Sequence, residues 1–138
     1  IHVGAGSTVE LRETKERLDD ALNATKSALK GGIIIGGGKS LYNARQALDL
    51  EVTGDYLVYK SLIAPFMTLI NNAGLDLERY TVLDDEYDSG IDMVSGNAVN
   101  LREAGIFDPL LVTLGSFDAA MSIANLFLTT DVAVLSGE

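Results

Sequence analysis

The clearest periodicity lies near the start of the chain. Leu18, Ala21, Leu22, Thr25, Ala28 and Leu29 recur at three- and four-residue spacings, which predicts a helix over 9–30 with one mostly apolar stripe. Thr8 or Ser7 can cap its start, Glu10 falls in the favourable first turn, and Gly31-Gly32 ends it. Ahead of this helix, Ile1-His2-Val3-Gly4 reads as the end of a strand whose partners lie elsewhere. Behind it, Ile33-Ile34-Ile35 is a short buried run, either extended or the opening of the next element. Gly36-Gly37-Gly38 follows, and then a short helix from about Ser40 to Leu48.

A second helical pattern from about Asp55 to Asn72 is interrupted at Pro65. Proline is best tolerated in a first turn, so two consecutive helices are predicted with a break near Ala64-Pro65, and Gly74 caps the second. Residues 76–88 predict a further short helix ending in an acidic run. Ile91, Met93, Val94, Val99 and Leu101 surround Ser95-Gly96-Asn97, the pattern of a β-hairpin. Asp108-Pro109 then predicts a helix start with a capping Asp and Pro at the first position, carrying Val112, Phe117, Ala120, Ile123, Ala124 and Phe127 inward. Thr129 to Leu135 is β-branched and apolar, so a terminal strand is expected, and a strand there needs an edge to pair with. The pattern predicts a mainly α fold with a small β-hairpin and terminal strands.

Composition narrows the chemistry. At 138 residues and 47% hydrophobic, the chain suits one ordinary domain with a core. Acids outnumber bases 20 to 10, and the formal charge of -10 argues against nucleic acid or an anionic membrane as partner. With no cysteine there is no disulfide, thiolate metal site or thiol nucleophile, and the single His2 cannot build a histidine metal site or a Ser/His/Asp constellation. No stretch is expected to reach the ~20 apolar residues that a membrane-spanning helix needs. The first residue is Ile, which reads as a processed chain or a piece of a longer one.

Four places could carry chemistry. The triple glycine between an apolar run and a helix start is either an anion site, where free N–H groups and a helix dipole converge, or a flexible connector. Gly38-Lys39-Ser40 resembles the end of a phosphate loop, but that motif needs a glycine five positions before Gly38, and Ile33 is there. Asp20 lies roughly opposite the apolar stripe, either as a solvent-facing carboxylate or, if that face is covered, as a group that could orient water beside a triphosphate. Asp108 is explained as a helix cap, with acceptance of ribose hydroxyls a chemically reasonable second role. The run Asp84, Asp85, Glu86, Asp88 does not fit a calcium loop, since Gly96 stands where the terminal Glu should be if Asp85 is first, and reads as a solvated acidic surface.

Several motifs in fixed order resemble one family. Ile1-His2-Val3-Gly4-Ala5, Val9-Glu10-Leu11, Arg17-Leu18-Asp19-Asp20-Ala21-Leu22-Asn23-Ala24-Thr25-Lys26 and Gly36-Gly37-Gly38 look like the group I chaperonin segment that joins the intermediate to the equatorial domain. Ala64-Pro65, Asn72-Ala73-Gly74, Ala104-Gly105-Ile106-Phe107-Asp108-Pro109 and Leu128-Thr129-Thr130 continue the match, which spans essentially the whole chain and is weakest over 49–62 and 75–103. The resemblance implies an equatorial-domain-like helical bundle, with residues 1–20 an intermediate-domain segment and 21–138 the C-terminal part of the ATP-binding equatorial domain.

It further implies ATP hydrolysis coupled to protein folding in a complete subunit. Asp20 would be the catalytic residue that positions the attacking water. Gly36 and Gly37 would pack against the nucleotide, Ile106 against adenine, and Asp108 would hold the ribose. In the hairpin, Asp92, Met93 and Val94 align with an Asn-Ala-Ala stretch that contacts the base in many bacterial members. The phosphate-binding Asp-Gly-Thr-Thr-Thr loop and its magnesium-binding aspartate lie outside this sequence, as does the apical domain that grips unfolded clients and co-chaperonin. ATP with magnesium is therefore the implied cofactor, ring subunits are the implied partners, and the implied location is the cytoplasm or an organellar matrix. Lys39 replaces a small apolar residue, Lys30-Gly31 stands where two acids are common, and Thr8 replaces an acid, which marks a divergent member. Two other readings stay open: a stand-alone chaperonin-derived interaction protein without ATPase activity, and a simple nucleotide-binding module built on Gly36–Gly38, Asp20 and Asp108.

Overall fold

Helix α1 spans Thr8–Gly31, and its ends follow from its terminal residues. Ser7 is the cap: its hydroxyl accepts from the Glu10 N–H at 3.2 Å, while the Glu10 carboxylate accepts from the Gly6 N–H at 3.0 Å. Gly32, with φ +83, closes the other end by donating to the Ala28 carbonyl. A computed structural model of the chain describes residues 1–76, 87–132 and 134. Contacts divide it into two compact units, Ile1–Gly32 with Pro109–Glu138, and Ile33–Asp108.

The first unit packs α1 against α5, Leu110–Leu128. The covered face of α1 runs through Thr14, Leu18, Ala24, Ser27, Ala28 and Gly31, which is rotated from the predicted stripe. Leu29 is 84% exposed and Leu22 lies at the edge. The rotation has its cause in the contact with α5. Leu111 of α5 sits so close to Gly31 that a Cβ there would come within 2.2 Å of its Cγ, so the small residue, not the neighbouring leucine, marks the contact line.

On α5 the half-buried positions are Leu110, Thr113, Phe117 and Met121, one narrow stripe. Of the residues expected inward, Phe117 alone is covered; Val112, Ala120, Ile123, Ala124 and Phe127 are exposed, Phe127 by 76%. The helix is apolar all round, so composition could not select a face. By length and composition alone it is also long enough to cross a membrane, contrary to expectation.

Neither expected terminal strand forms among the described residues. Residues 1–5 are irregular, and Thr129 and Thr130 turn back on α5, their N–H groups donating to Asn125 and Phe127. The described residues of this unit offer no sheet edge for either end to join. Residues 133 and 135 of the predicted C-terminal strand lie outside the described residues.

The second unit is built in sequence order from β1 (Ile33–Ile35), α2 (Lys39–Ala44), a 3₁₀ turn (Arg45–Ala47), α3 (Thr53–Ser61), α4 (Ala64–Asn72), β2 (Ser89–Asp92), β3 (Asn97–Asn100) and β4 (Phe107–Pro109). The break between α3 and α4 falls where Pro65 puts it, in the first turn of α4. Gly74, φ +67, ends α4 with both bonds of a Schellman motif: Leu75 N–H to Ile70 O at 3.1 Å and Gly74 N–H to Asn71 O at 3.0 Å. The core is Tyr42, Phe66, Ile70 and Ile91, with Ile63, Leu75 and Met93 packed around it.

Strands β2 and β3 form the predicted antiparallel hairpin, Asp92 opposite Asn97 and Ile91 opposite Ala98, joined by Met93–Gly96. Of the short isoleucine run only Ile35 is fully buried, because β1 is an extended strand whose single partner among the described residues is β4. The predicted helix over 76–88, and with it Asp84, Asp85 and Glu86, falls largely outside the described residues. The chain is mainly helical with a small hairpin, as its pattern predicts.

Candidate nucleotide site

Within the second unit, β1 pairs with β4 and so brings the glycine turn beside Ile106. The Gly36 N–H donates to the Ile106 carbonyl at 3.0 Å. A Cβ on Gly36 would lie 3.1 Å from the Phe107 carbonyl carbon and 3.2 Å from the Ile106 side chain, so glycine permits this approach of two backbones. Gly37 and Gly38 both take left-handed φ, +65 and +74. Gly38 fits against the Phe66 backbone, 2.9 Å from where its Cβ would be, whereas no described residue lies within 4 Å of a Cβ on Gly37. The turn is held at both ends and open in the middle.

Lys39 does not reach outward as the lysine of a phosphate loop would. It is 1% exposed, with its ammonium 4.6 Å from the centroid of Tyr42. The Ser40 hydroxyl donates to the Ile35 carbonyl and ties α2 to β1.

Asp108 is not the cap of α5. It lies in β4, and the cap position belongs to Pro109, whose backbone is extended at φ -68, ψ 126. The Leu110 N–H donates to the Gly32 carbonyl at 3.1 Å, which keeps Pro109 extended and starts the helix one residue later than the Asp-Pro pair predicts. Asp108 is half-buried, its carboxylate accepts no hydrogen bond among the described residues, and burial pushes its carboxyl above the usual aspartate range. A half-buried acceptor without an internal partner suits a ligand hydroxyl.

The approach to β4 is set by residues that pattern reading passed over. Asn100 accepts from the Arg102 and Glu103 N–H groups at 3.0 and 3.1 Å, and Gly105, φ +71, allows the Ile106 N–H to return to the Leu101 carbonyl at 2.8 Å. Arg102 forks onto Asp88 at 2.8 and 3.3 Å, a pairing that raises the guanidinium further above its usual value. Asn followed five positions on by Gly is the signal that could have found this turn.

The hairpin residues are occupied locally. The Asp92 carboxylate accepts from the Ser95 hydroxyl at 2.7 Å and the Val94 N–H at 3.0 Å, and these bonds hold it below the usual carboxylate range. Met93 packs on the core, and Val94 is 97% exposed. In the first unit Asp20 stands on the exposed side of α1. Among the described residues no group of three or more His, Cys, Asp or Glu could hold a metal ion.

Comparison with known proteins joins these features. The crystal structure of a group III chaperonin in the open state matches with a TM-score of 0.77 at 23% identity, over 96% of this chain and 30% of that one, a likeness that establishes the fold. The chain thus spans about 30% of the length of that solved relative. The family model for the TCP-1/cpn60 chaperonins matches residues 1–138, the entire sequence: the chain belongs to the TCP-1/cpn60 chaperonin family.

Proposed function

We propose that this chain is the C-terminal part of a group I subunit within that family, with residues 1–20 an intermediate-domain segment and 21–138 part of the equatorial domain. In a complete subunit it supplies half of the site for ATP with magnesium and contributes contacts to a ring of like subunits that folds client proteins. The observation that carries the reading is Asp108: a half-buried carboxylate with no hydrogen-bonding partner among the described residues, on the strand that pairs beside the glycine turn.

In this reading Asp108 accepts the ribose hydroxyls, Ile106 offers an apolar contact to the base, and the open face of Gly37 with Gly36 lets phosphates approach backbone. Asp20 acts as the catalytic carboxylate that orients water. Asp92, Met93 and Val94 border the base from the hairpin, although the Asp92 carboxylate already serves the turn. The magnesium ligand comes from the rest of the subunit, as do the surfaces for clients and co-chaperonin. The location that goes with the group I reading is the cytoplasm or an organellar matrix.

Calorimetric titration of the purified chain with magnesium-ATP, alongside Asp108→Ala, tests the reading. Saturable binding that the variant loses supports a preformed half-site. Equal binding by both proteins would remove Asp108 from it.

A further inference from the structure

The residue after the glycine turn departs from the expected small apolar type, and the structure shows what the replacement does. Lys39 is 1% exposed, the one charged residue among the fully buried side chains described. A charge so placed costs stability unless it is met by favourable electrostatics. Part of the answer is the Tyr42 ring, 4.6 Å from the ammonium, which also lies 3.7 Å from the Arg45 guanidinium. Tyr42 in turn packs on Phe66 with ring centroids 5.5 Å apart, and the Phe66 backbone is the surface against which Gly38 fits. Lys39, Tyr42, Phe66 and Gly38 therefore form a closed circuit of contacts around the C-terminal end of the turn. The N-terminal end is held separately, by Gly36 on Ile106.

We propose that Lys39 is a positioning residue whose buried ammonium, stacked on Tyr42, pins the Gly36–Gly38 turn in its nucleotide-facing shape. Two adjacent left-handed glycines have no side chains of their own to hold them, and glycine loses the most backbone freedom on ordering. A pin beside them keeps that freedom from having to be lost when a ligand arrives. The affinity arm rests on the nucleotide reading above; the conformational arm does not.

The test uses the 138-residue chain and three proteins: wild type, Lys39→Met, which fills the same space without charge, and Lys39→Arg, which keeps a cation over the ring. Amide hydrogen exchange is followed at Lys39 and Tyr42, which donate to the Gly36 and Gly38 carbonyls, and at Leu75, which donates to Ile70 in the core. Lys39→Met is expected to speed exchange at Lys39 and Tyr42 about fivefold with Leu75 unchanged, and to weaken magnesium-ADP binding by a similar factor, while Lys39→Arg stays close to wild type. Unchanged turn amides in Lys39→Met, equal acceleration at Leu75, or loss of the fold would make Lys39 a residue of the core only and overturn the proposal. If wild type binds no ADP, the nucleotide reading fails, and the ratio of turn to core exchange still decides the role of Lys39.

Discussion

The Gly36 N–H and the Ile106 carbonyl meet at 3.0 Å, and every contact at the glycine turn is graded by how near a backbone stands to each glycine. Gly38 faces the Phe66 backbone at 2.9 Å with φ +74, so Gly38→Ala combines a clash that cannot yield with a disfavoured backbone. Gly36 has contacts of 3.1 to 3.2 Å and no positive φ, and Gly37 has open space and φ +65. The expected losses on urea denaturation are about 3 kcal/mol or more for Gly38→Ala, about 1–2 for Gly36→Ala and about 1 for Gly37→Ala. A series in which Gly37→Ala is the worst would refute the packing described for the turn.

Asp108 links stability to function with opposite signs. Burial raises its folded-state pKa, so the folded chain holds this proton more tightly than the unfolded one. The ionised carboxylate therefore costs stability above the folded pKa, and the cost disappears as pH falls below the usual value of 3.8. Asp108→Asn is expected to match or exceed wild-type stability at pH 7, with the difference closing in acid, while nucleotide affinity drops. Thermal melts across pH 3 to 7 check the first part. A variant less stable than wild type at neutral pH would show that the carboxylate has a structural partner.

The features that could be read from sequence are those governed by local stereochemistry. Ser7 and Glu10 at the start of α1, Pro65 at the head of α4, Gly74 at its end and Ser95-Gly96 in the hairpin all act through their own backbone and neighbours. What failed was decided at a distance. The buried face of α1 depends on Gly31 meeting Leu111, 80 positions away, and α5 has apolar residues on every side. Asp108-Pro109 has good capping chemistry, but the bond from Leu110 to Gly32 overrides it. At the candidate site, Gly36–Gly38 stood out as a motif, whereas their adjacency to Ile106 arises only once β1 pairs with β4.

The contact between Gly31 and Leu111 can be tested as a coupling. Gly31→Ala places a methyl 2.2 Å from the Leu111 Cγ, and Leu111 is exposed enough to move at a cost of about 1–2 kcal/mol. Leu111→Ala opens the space. In a double-mutant cycle read by urea denaturation, Gly31→Ala should cost much less in the Leu111→Ala background than alone. Additive effects would mean that α1 and α5 do not meet at this pair.

Asp20 should separate chemistry from stability. It is exposed on α1, so Asp20→Ala is expected to change unfolding stability by no more than about 0.5 kcal/mol. The chain alone is expected to show no significant ATPase activity, because phosphoryl transfer needs metal and phosphate positioning, which the proposed reading assigns to the rest of the subunit. A turnover assay that finds magnesium-dependent hydrolysis by this chain, abolished in Asp20→Ala, would overturn that expectation.

Asp92 offers a direct test of whether the hairpin meets the nucleotide. Its carboxyl is held low first by the Ser95 hydroxyl and then by the Val94 N–H. A depressed carboxyl contributes stability that is present above the unfolded value near 3.8 and lost as pH falls through the lower folded value. Ser95→Ala removes the larger cause, so the Asp92 titration followed by NMR should move up toward 3.8. The same titration with magnesium-ADP bound then distinguishes two roles. If the carboxylate turns to the base, it must leave the Ser95 hydroxyl, and its titration will shift on binding even in Ser95→Ala. If it serves only the hairpin turn, ADP will leave both titrations where they are, and Asp92 drops out of the proposed base contact.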